Sequence, residues 1–178
     1  MQLGFFFDQT RCSGCYTCIA ACRQWHHSQV DRRRVETLEE GEFPAVKVTF
    51  LSLSCLHCAS PACVAACPTG ALWKRKEDGI VLVNSEVCLG KADCGQCSVA
   101  CPYGAIGFGG DARVEKCDFC RERIEAGEKP ICVLACTTRA LDFGPLEELK
   151  AAVGVRKEAN GFAYDVGVKP SIVFKPKI

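Results

Sequence analysis

The chain has 178 residues, 22 basic and 21 acidic side chains, a net charge of +1 and 16 cysteines, about 9% of its length. Balanced charge leaves no electrostatic footprint for nucleic acid, and no apolar run reaches the roughly 18 residues that a membrane span needs. Thiols this dense mark a disulfide scaffold in a small secreted chain. The opening "MQLGFFFDQTRC" reads against secretion, because it lacks a basic start and Asp8 interrupts the short apolar run Phe5–Phe7. Arg32, Arg33 and Arg34 lie too deep in the chain to be a twin-arginine signal. The expected setting is therefore a reducing cytoplasm, where such thiols mean metal, with export as the passenger of a signal-bearing partner as the alternative. The length suits one domain or two small ones. Stretches of Cys, Gly and turns leave few large side chains for a continuous core, so bound metal is expected to supply cohesion.

Taken in chain order, the first cysteine group is Cys12, Cys15, Cys18 and Cys22, in "CSGCYTCIAAC". Trp25, His26 and His27 follow it, either facing a partner or an electron exit, or simply ending a helix that packs Trp25 on the core. "DRRRVETLEEGEF" reads as a solvated charged excursion, with a docking loop as the sharper alternative. "AVKVTFLSL" alternates Val46, Val48 and Phe50 with polar neighbours and predicts a half-buried strand. The second group is Cys55, Cys58, Cys63 and Cys67, followed by Pro68. His57, inside it, is either an exposed loop histidine or an N–H donor to cluster sulfur that raises a potential. "ALWKRKEDGIVLV" predicts a hairpin turning at Asp78-Gly79, with Ile80–Val83 returning and Lys74, Arg75 and Lys76 in solvent.

The third group is Cys88, Cys94, Cys97 and Cys101, followed by Pro102, and "AIGFGGDARV" after it predicts a hairpin turning at Gly109-Gly110. The fourth group is Cys117, Cys120, Cys132 and Cys136. "ALDF" then predicts a strand, "PLEELKAAV" a helix with Pro145 at its first position, and "KPSIVFKPKI" an extended tail. The repeats of cysteine loop, helical turn and strand predict an α+β arrangement.

C-x2-C-x2-C-x3-C is the spacing of bacterial ferredoxins, in which three thiolates wrap one cubane and the fourth reaches a neighbouring one. The first three ligands are expected on a tight loop and the fourth about one helical turn further on, with Pro68 and Pro102 stopping the helix. At four thiolates per cubane, 16 cysteines supply four 4Fe–4S clusters with none left over. Structural zinc uses separated pairs of cysteines instead. A radical-generating cluster would leave one iron open at a three-cysteine site, whereas each group here has a fourth thiol. No set of residues suggests a nucleophile, a base or a phosphate loop. The chemistry expected is electron transfer without catalysis.

These groups in this order resemble the four-cluster iron–sulfur subunit of the dimethyl sulfoxide reductase family, over about residues 5–144. "CPTGAL", "CPYGAI" and "KCDFCRERIEAGEKPICV" carry the likeness, and "KPSIVF" is similar to the extended tail of such subunits. Polysulfide and nitrite reductase systems, formate dehydrogenases and some hydrogenases use similar subunits. "GFFFDQTRCSGCYTCIAACRQWH" is also similar to small electron-transfer proteins that accompany tungsten aldehyde oxidoreductases.

The resemblance implies two interleaved ferredoxin-like modules, each with two clusters. The outer would comprise 1–45 and 105–144, the inner 46–104, with 145–178 as a C-terminal helix and extended tail. It also implies nested ligation: Cys12, Cys15, Cys18 and Cys136; Cys22, Cys117, Cys120 and Cys132; Cys55, Cys58, Cys63 and Cys101; Cys67, Cys88, Cys94 and Cys97. Spacing alone leaves a sequential pairing open. The implied partner is a catalytic subunit holding a molybdenum or tungsten pterin, with a flavin, ferredoxin or membrane quinone-linked partner at the other end. The alternatives are a free polyferredoxin carrier or the electron-transfer subunit of a hydrogenase or formate dehydrogenase complex, and the near-zero net charge leans toward a stable complex rather than a mobile carrier. Two departures stand out. "LGKAD" puts five residues between Cys88 and Cys94 where two are usual, and Thr137 replaces a usual proline. If Cys88 were a bystander, Asp93 or solvent would have to complete its site.

Overall fold

In the computed structural model, which describes residues 1–177, the first apolar run is strand β1 (Leu3–Asp8), with Leu3, Phe5 and Phe7 buried. Helix α1 (Thr17–His26) carries the end of the first cysteine group, and β2 (Arg33–Glu40) pairs with β3 (Lys47–Ser54) as an antiparallel hairpin. Short elements follow: α2 (Ala62–Ala65), the hairpin β4 (Leu72–Lys74) and β5 (Val81–Val83), α3 (Gly90–Asp93) and α4 (Gln96–Ala100). Next come the hairpin β6 (Gly107–Phe108) and β7 (Val114–Glu115), then α5 (Arg121–Glu125) and α6 (Ile131–Leu134). Strand β8 (Leu141–Pro145) runs straight into α7 (Leu146–Ala151), and β9 (Ile172–Lys175) ends the described tail. Residue 178 of the predicted extended tail lies outside the described residues. The mixture of short helices and small sheets is the α+β class expected.

β1 is the middle of a three-stranded sheet, antiparallel to β8 and parallel to β9. Its apolar side meets aromatic rings from distant parts of the chain. Phe5 stacks on Phe119 at 4.3 Å between centroids, while Phe162 packs on Phe174 at 4.7 Å. Burying each such ring contributes about 1.5–3 kcal/mol. This core is larger than composition suggested, because phenylalanines scattered along the sequence converge at one place. A second, smaller core joins Leu72, Val81 and Val114 to Cys63 and Cys97.

Several local expectations need correction. The β3 strand forms, but in the opposite phase: Thr49, Leu51 and Leu53 are buried while Val46 and Val48 are exposed. "DRRRVETLEEGEF" is mostly β-hairpin, and Arg33 at its base is buried. Lys74 does not point freely into solvent. Its ammonium donates to Gln2 Oε1 and to the carbonyls of Cys58 and Gly79. The second hairpin turns over Gly109–Ala112, closed by Ala112 N–H on Gly109 O at 2.9 Å. Pro145 caps α7 from one position before it, since the strand continues to that residue.

Candidate metal centre

The left-handed backbone repeats where the cysteine loops tighten. Gly14, His57 and Phe119 occupy the third position of three C-x2-C units, with φ of 67°, 45° and 63°. A side chain at Gly14 would collide with the Phe50 ring, so only glycine fits there. At His57 and Phe119 burial must offset about 1–3 kcal/mol of backbone cost. A helix then begins one residue before the third cysteine of each group. Cys18, Cys63, Cys97 and Cys132 all lie in helices, and Cys67, Cys101 and Cys136 follow the ends of theirs. Only in the first group does one helix hold both the third and fourth thiols, Cys18 and Cys22. The expectation of three loop ligands and one helical ligand is corrected accordingly.

The fold brings the sixteen thiols into four neighbourhoods. Cys12, Cys15, Cys18 and Cys136 line one cavity with Phe7, Val35, Ser52 and Leu141. Cys67, Cys88, Cys94 and Cys97 line another with Leu72, Val83, Phe108 and Val114. Cys22, Cys117, Cys120 and Cys132 gather beside Arg33 and Asp118: burial and Cys132 push the Cys22 thiol up to about 11. Burial, with Cys132, Asp118 and Cys22 nearby, pushes Cys120 to about 12. Burial drives Cys117 well above a normal thiol. The fourth neighbourhood is Cys55, Cys58, Cys63 and Cys101, where burial and then Cys55, Cys101 and Cys63 push Cys58 up to about 12. Cys15, exposed at the surface, goes the other way, to about 7, chiefly because the Thr17 hydroxyl donates to its sulfur at 3.3 Å.

Burial pushes eight of the sixteen thiols, Cys12, Cys18, Cys22, Cys58, Cys63, Cys97, Cys117 and Cys120, above the ordinary thiol range, so a cation that binds thiolate must supply the driving force there. The protein already supplies sulfur with hydrogen-bond donors. Ala140 N–H reaches Cys136 Sγ at 3.2 Å, Ala105 N–H reaches Cys101 Sγ at 3.5 Å, and Phe119 N–H reaches Cys117 Sγ at 3.4 Å. His26 Nε2 lies 3.4 Å from Cys120 Sγ and 3.5 Å from Asp118 Oδ1.

His57 tests whether a sulfide-containing group fits. Its Nδ1 accepts the Val81 N–H at 2.9 Å, which leaves the ring proton on Nε2. Among the described residues that buried Nε2 has no protein partner. Burial first, then Lys116, Lys74 and Arg33, keep the ring neutral. A donor unmatched by protein, buried cations and all-sulfur donor sets together suit an anionic iron–sulfur cluster. Thiolate alone would also suit zinc, but zinc offers no sulfide for a buried N–H to meet.

His57 is thus not the exposed loop residue of the blander expectation. Trp25 is not on the core either: it is about half exposed, with the Arg123 guanidinium 4.6 Å over its ring. Cys88 joins Cys67, Cys94 and Cys97, while Asp93 is exposed. The residues "LGKAD" form the turn α3, tied to the β6–β7 hairpin by Lys91 N–H on Ala112 O at 2.8 Å. Sequence reasoning missed Arg33, Ser52, Lys74 and Lys116 as site residues. The available signal was a polar side chain inside an apolar strand, as at Ser52, or a lysine directly beside a cysteine, as at Lys116.

Residues 46–146 match a family model described as a 4Fe-4S dicluster domain, and residues 11–72 match a second model of the same description. The chain is similar to the B component of the anaerobic dimethyl sulfoxide reductase of Escherichia coli (strain K12), at 41% identity over 186 residues, covering 98% of this chain and 89% of that protein. The Haemophilus influenzae protein of the same name is 39% identical over 187 residues, with the same coverage of 98% and 89%. The B component of the sulfite dehydrogenase of Allochromatium vinosum is 36% identical over 203 residues, covering 99% of this chain and 83% of that one. Two dicluster matches and sixteen cysteines in four neighbourhoods fit four 4Fe–4S clusters.

Proposed function

This protein belongs to the 4Fe-4S dicluster family of iron–sulfur electron-transfer subunits that includes the B component of dimethyl sulfoxide reductase, and from this we propose that it relays electrons to or from a molybdenum- or tungsten-pterin catalytic subunit. A cluster ligated wholly by thiolate supplies one-electron transfer and leaves no iron position open to substrate. The observation that carries the reading is the gathering of the cysteines in complete fours, with no catalytic constellation beside them among the described residues. The chain therefore turns over no substrate alone.

We assign nested ligation to the four neighbourhoods: Cys12, Cys15, Cys18 with Cys136; Cys22 with Cys117, Cys120, Cys132; Cys55, Cys58, Cys63 with Cys101; Cys67 with Cys88, Cys94, Cys97. Cavity lining and mutual charge perturbation support this over a sequential pairing. On this reading 1–45 and 105–144 make an outer module, 46–104 an inner one, and 145–178 a C-terminal helix and extended tail, whose strand β9 pairs with β1. Thiols kept for metal are loaded in a reducing cytoplasm, and among the described residues no helix is long and apolar enough to cross a membrane. A flavin, ferredoxin or quinone-linked protein would meet the end of the relay away from the catalytic subunit.

The test is anaerobic purification of the tagged chain from its native source. About sixteen irons and sixteen acid-labile sulfides per chain are expected, together with a larger partner carrying molybdenum or tungsten. Eight irons with eight free thiols, or substrate turnover by the isolated iron-loaded chain, would overturn the reading.

A further inference from the structure

We propose that Arg33 and Ser52 set the reduction potential of the first site, that of Cys12, Cys15, Cys18 and Cys136, through a hydrogen bond forced onto Cys18. The inference rests on the reading of Cys18 as an iron ligand. Arg33 is 3% exposed, and its guanidinium donates from Nη1 to Ser52 Oγ at 3.1 Å and from Nη2 to Ser54 Oγ at 3.0 Å. A guanidinium has no acceptor, so the Ser52 oxygen must accept from it. The single Ser52 proton is then free for its other neighbour, Cys18 Sγ at 3.6 Å. A Cys18 that ligates iron carries no proton, so the bond to sulfur then has one possible direction, with Arg33 polarising the hydroxyl behind it. Ser54 follows the same logic, its hydroxyl donating to Cys55 O at 3.3 Å.

The charge of Arg33 has no carboxylate partner among the described residues. It lies 5.0 Å over the Phe5 ring; the neutral His57 ring also feels its charge, and the thiols of Cys132, Cys18, Cys117 and Cys22 face it. One of these belongs to the first neighbourhood and three to the second, so the cation stands between two sites. An unpaired buried cation is expensive unless anionic groups accompany it, as four-thiolate clusters would. An electron taken up by a cluster held at the first site would add negative charge at Cys18 Sγ. The Ser52–sulfur bond strengthens, no proton moves, and the reduced state is favoured. Ser52 touches the ligand; Arg33 is a positioning residue that acts through it and, by its charge, on the second site.

The experiment is a dithionite redox titration of the purified iron-loaded complex, followed by electron paramagnetic resonance, on wild type, Ser52→Ala, Ser52→Thr, Arg33→Gln and Arg33→Lys. A Cys15→Ser variant identifies which signal belongs to the first site. If Cys15→Ser and Cys136→Ser disturb different signals, the ligand reading itself fails. With that signal assigned, Ser52→Ala should lower its reduced-to-oxidised ratio at fixed potential about tenfold, which is about 59 mV for a one-electron couple. Ser52→Thr, which keeps the hydroxyl, should restore it. Arg33→Gln should lower two signals and leave two unmoved. Where Arg33→Gln loses iron, Arg33→Lys and Ser52→Ala carry the measurement. An unmoved first-site signal in Ser52→Ala with full iron content, or an equal shift of all four signals, would overturn the proposal.

Discussion

The His57 ring is wholly buried, accepts Val81 N–H at 2.9 Å and meets the edge of Phe119 at 5.2 Å. His57→Leu keeps much of the volume but leaves the Val81 N–H without an acceptor in the interior. The expected cost is about 1–3 kcal/mol, read as a lower denaturant midpoint of the iron-loaded protein at unchanged iron content. His57→Asn, which offers an acceptor at the same chain position, should recover part of it. An unshifted midpoint in His57→Leu would show that the ring merely fills space. Local pattern cannot announce this role, since the residue that needs His57 is 24 positions away. Lys74 illustrates the same limit. In sequence it stands in a basic run, and its fate is decided by Gln2 Oε1 and the carbonyls of Cys58 and Gly79. The cysteines were legible because their chemistry is written in spacing; the buried donors and cations around them were not, because their partners come from other segments.

Among the elements, β9 and the β2–β3 hairpin make opposite predictions. β9 pairs with β1 from Phe5–Ile172 to Asp8–Lys175 and buries Ile172, Val173 and Phe174. Deleting residues 171–178 would strip one edge of β1 and uncover the Phe162 ring that packs on Phe174. Losing the Phe174 side chain alone should cost about 3–5 kcal/mol, so the truncated chain is expected to give little soluble iron-loaded protein. Recovery of normal yield and iron would contradict this. At the hairpin tip, by contrast, Phe43 is 92% exposed and residues 40–48 lie in solvent. Replacing Gly41–Val46 with Asn-Gly should leave the iron content unchanged and change the unfolding free energy, read from denaturant titration, by no more than about 0.5 kcal/mol. A loss of iron would mean that the tip contributes to a core it does not touch here. The hairpins were legible from alternation and turn residues, yet the phase of β3 was not. Its inner half is covered on both sides, by the core at Leu51 and Leu53 and by Arg33 at Ser52 and Ser54, and two-sided burial erases the alternation on which a phase depends. Helices one turn long, such as α2 and α6, leave no periodicity to read at all.

Over the whole molecule, stability divides unevenly between two cores. The larger has Phe5, Phe7, Phe119, Phe162 and Phe174 among its buried members, whereas the smaller has only Leu72, Val81 and Val114 besides its cysteines. Three aliphatic side chains bury a gross contribution of about 5–9 kcal/mol. Ordering the backbone of the short elements around them costs about 1–2 kcal/mol per residue, so packing alone cannot hold that half and the thiolate–iron bonds must. The phenylalanine core faces the same cost with more surface buried and a three-stranded sheet for support. Gradual removal of iron by a chelator should therefore release the two halves in order. Amide exchange protection is expected to fall first in β4, β5, β6 and β7, by about tenfold or more before any change in β1, β8 and β9. Peptide-resolved hydrogen exchange during the chelator titration reads this directly. Simultaneous loss everywhere would mean that the two cores unfold as one unit and that the aromatic half, too, depends on its metal.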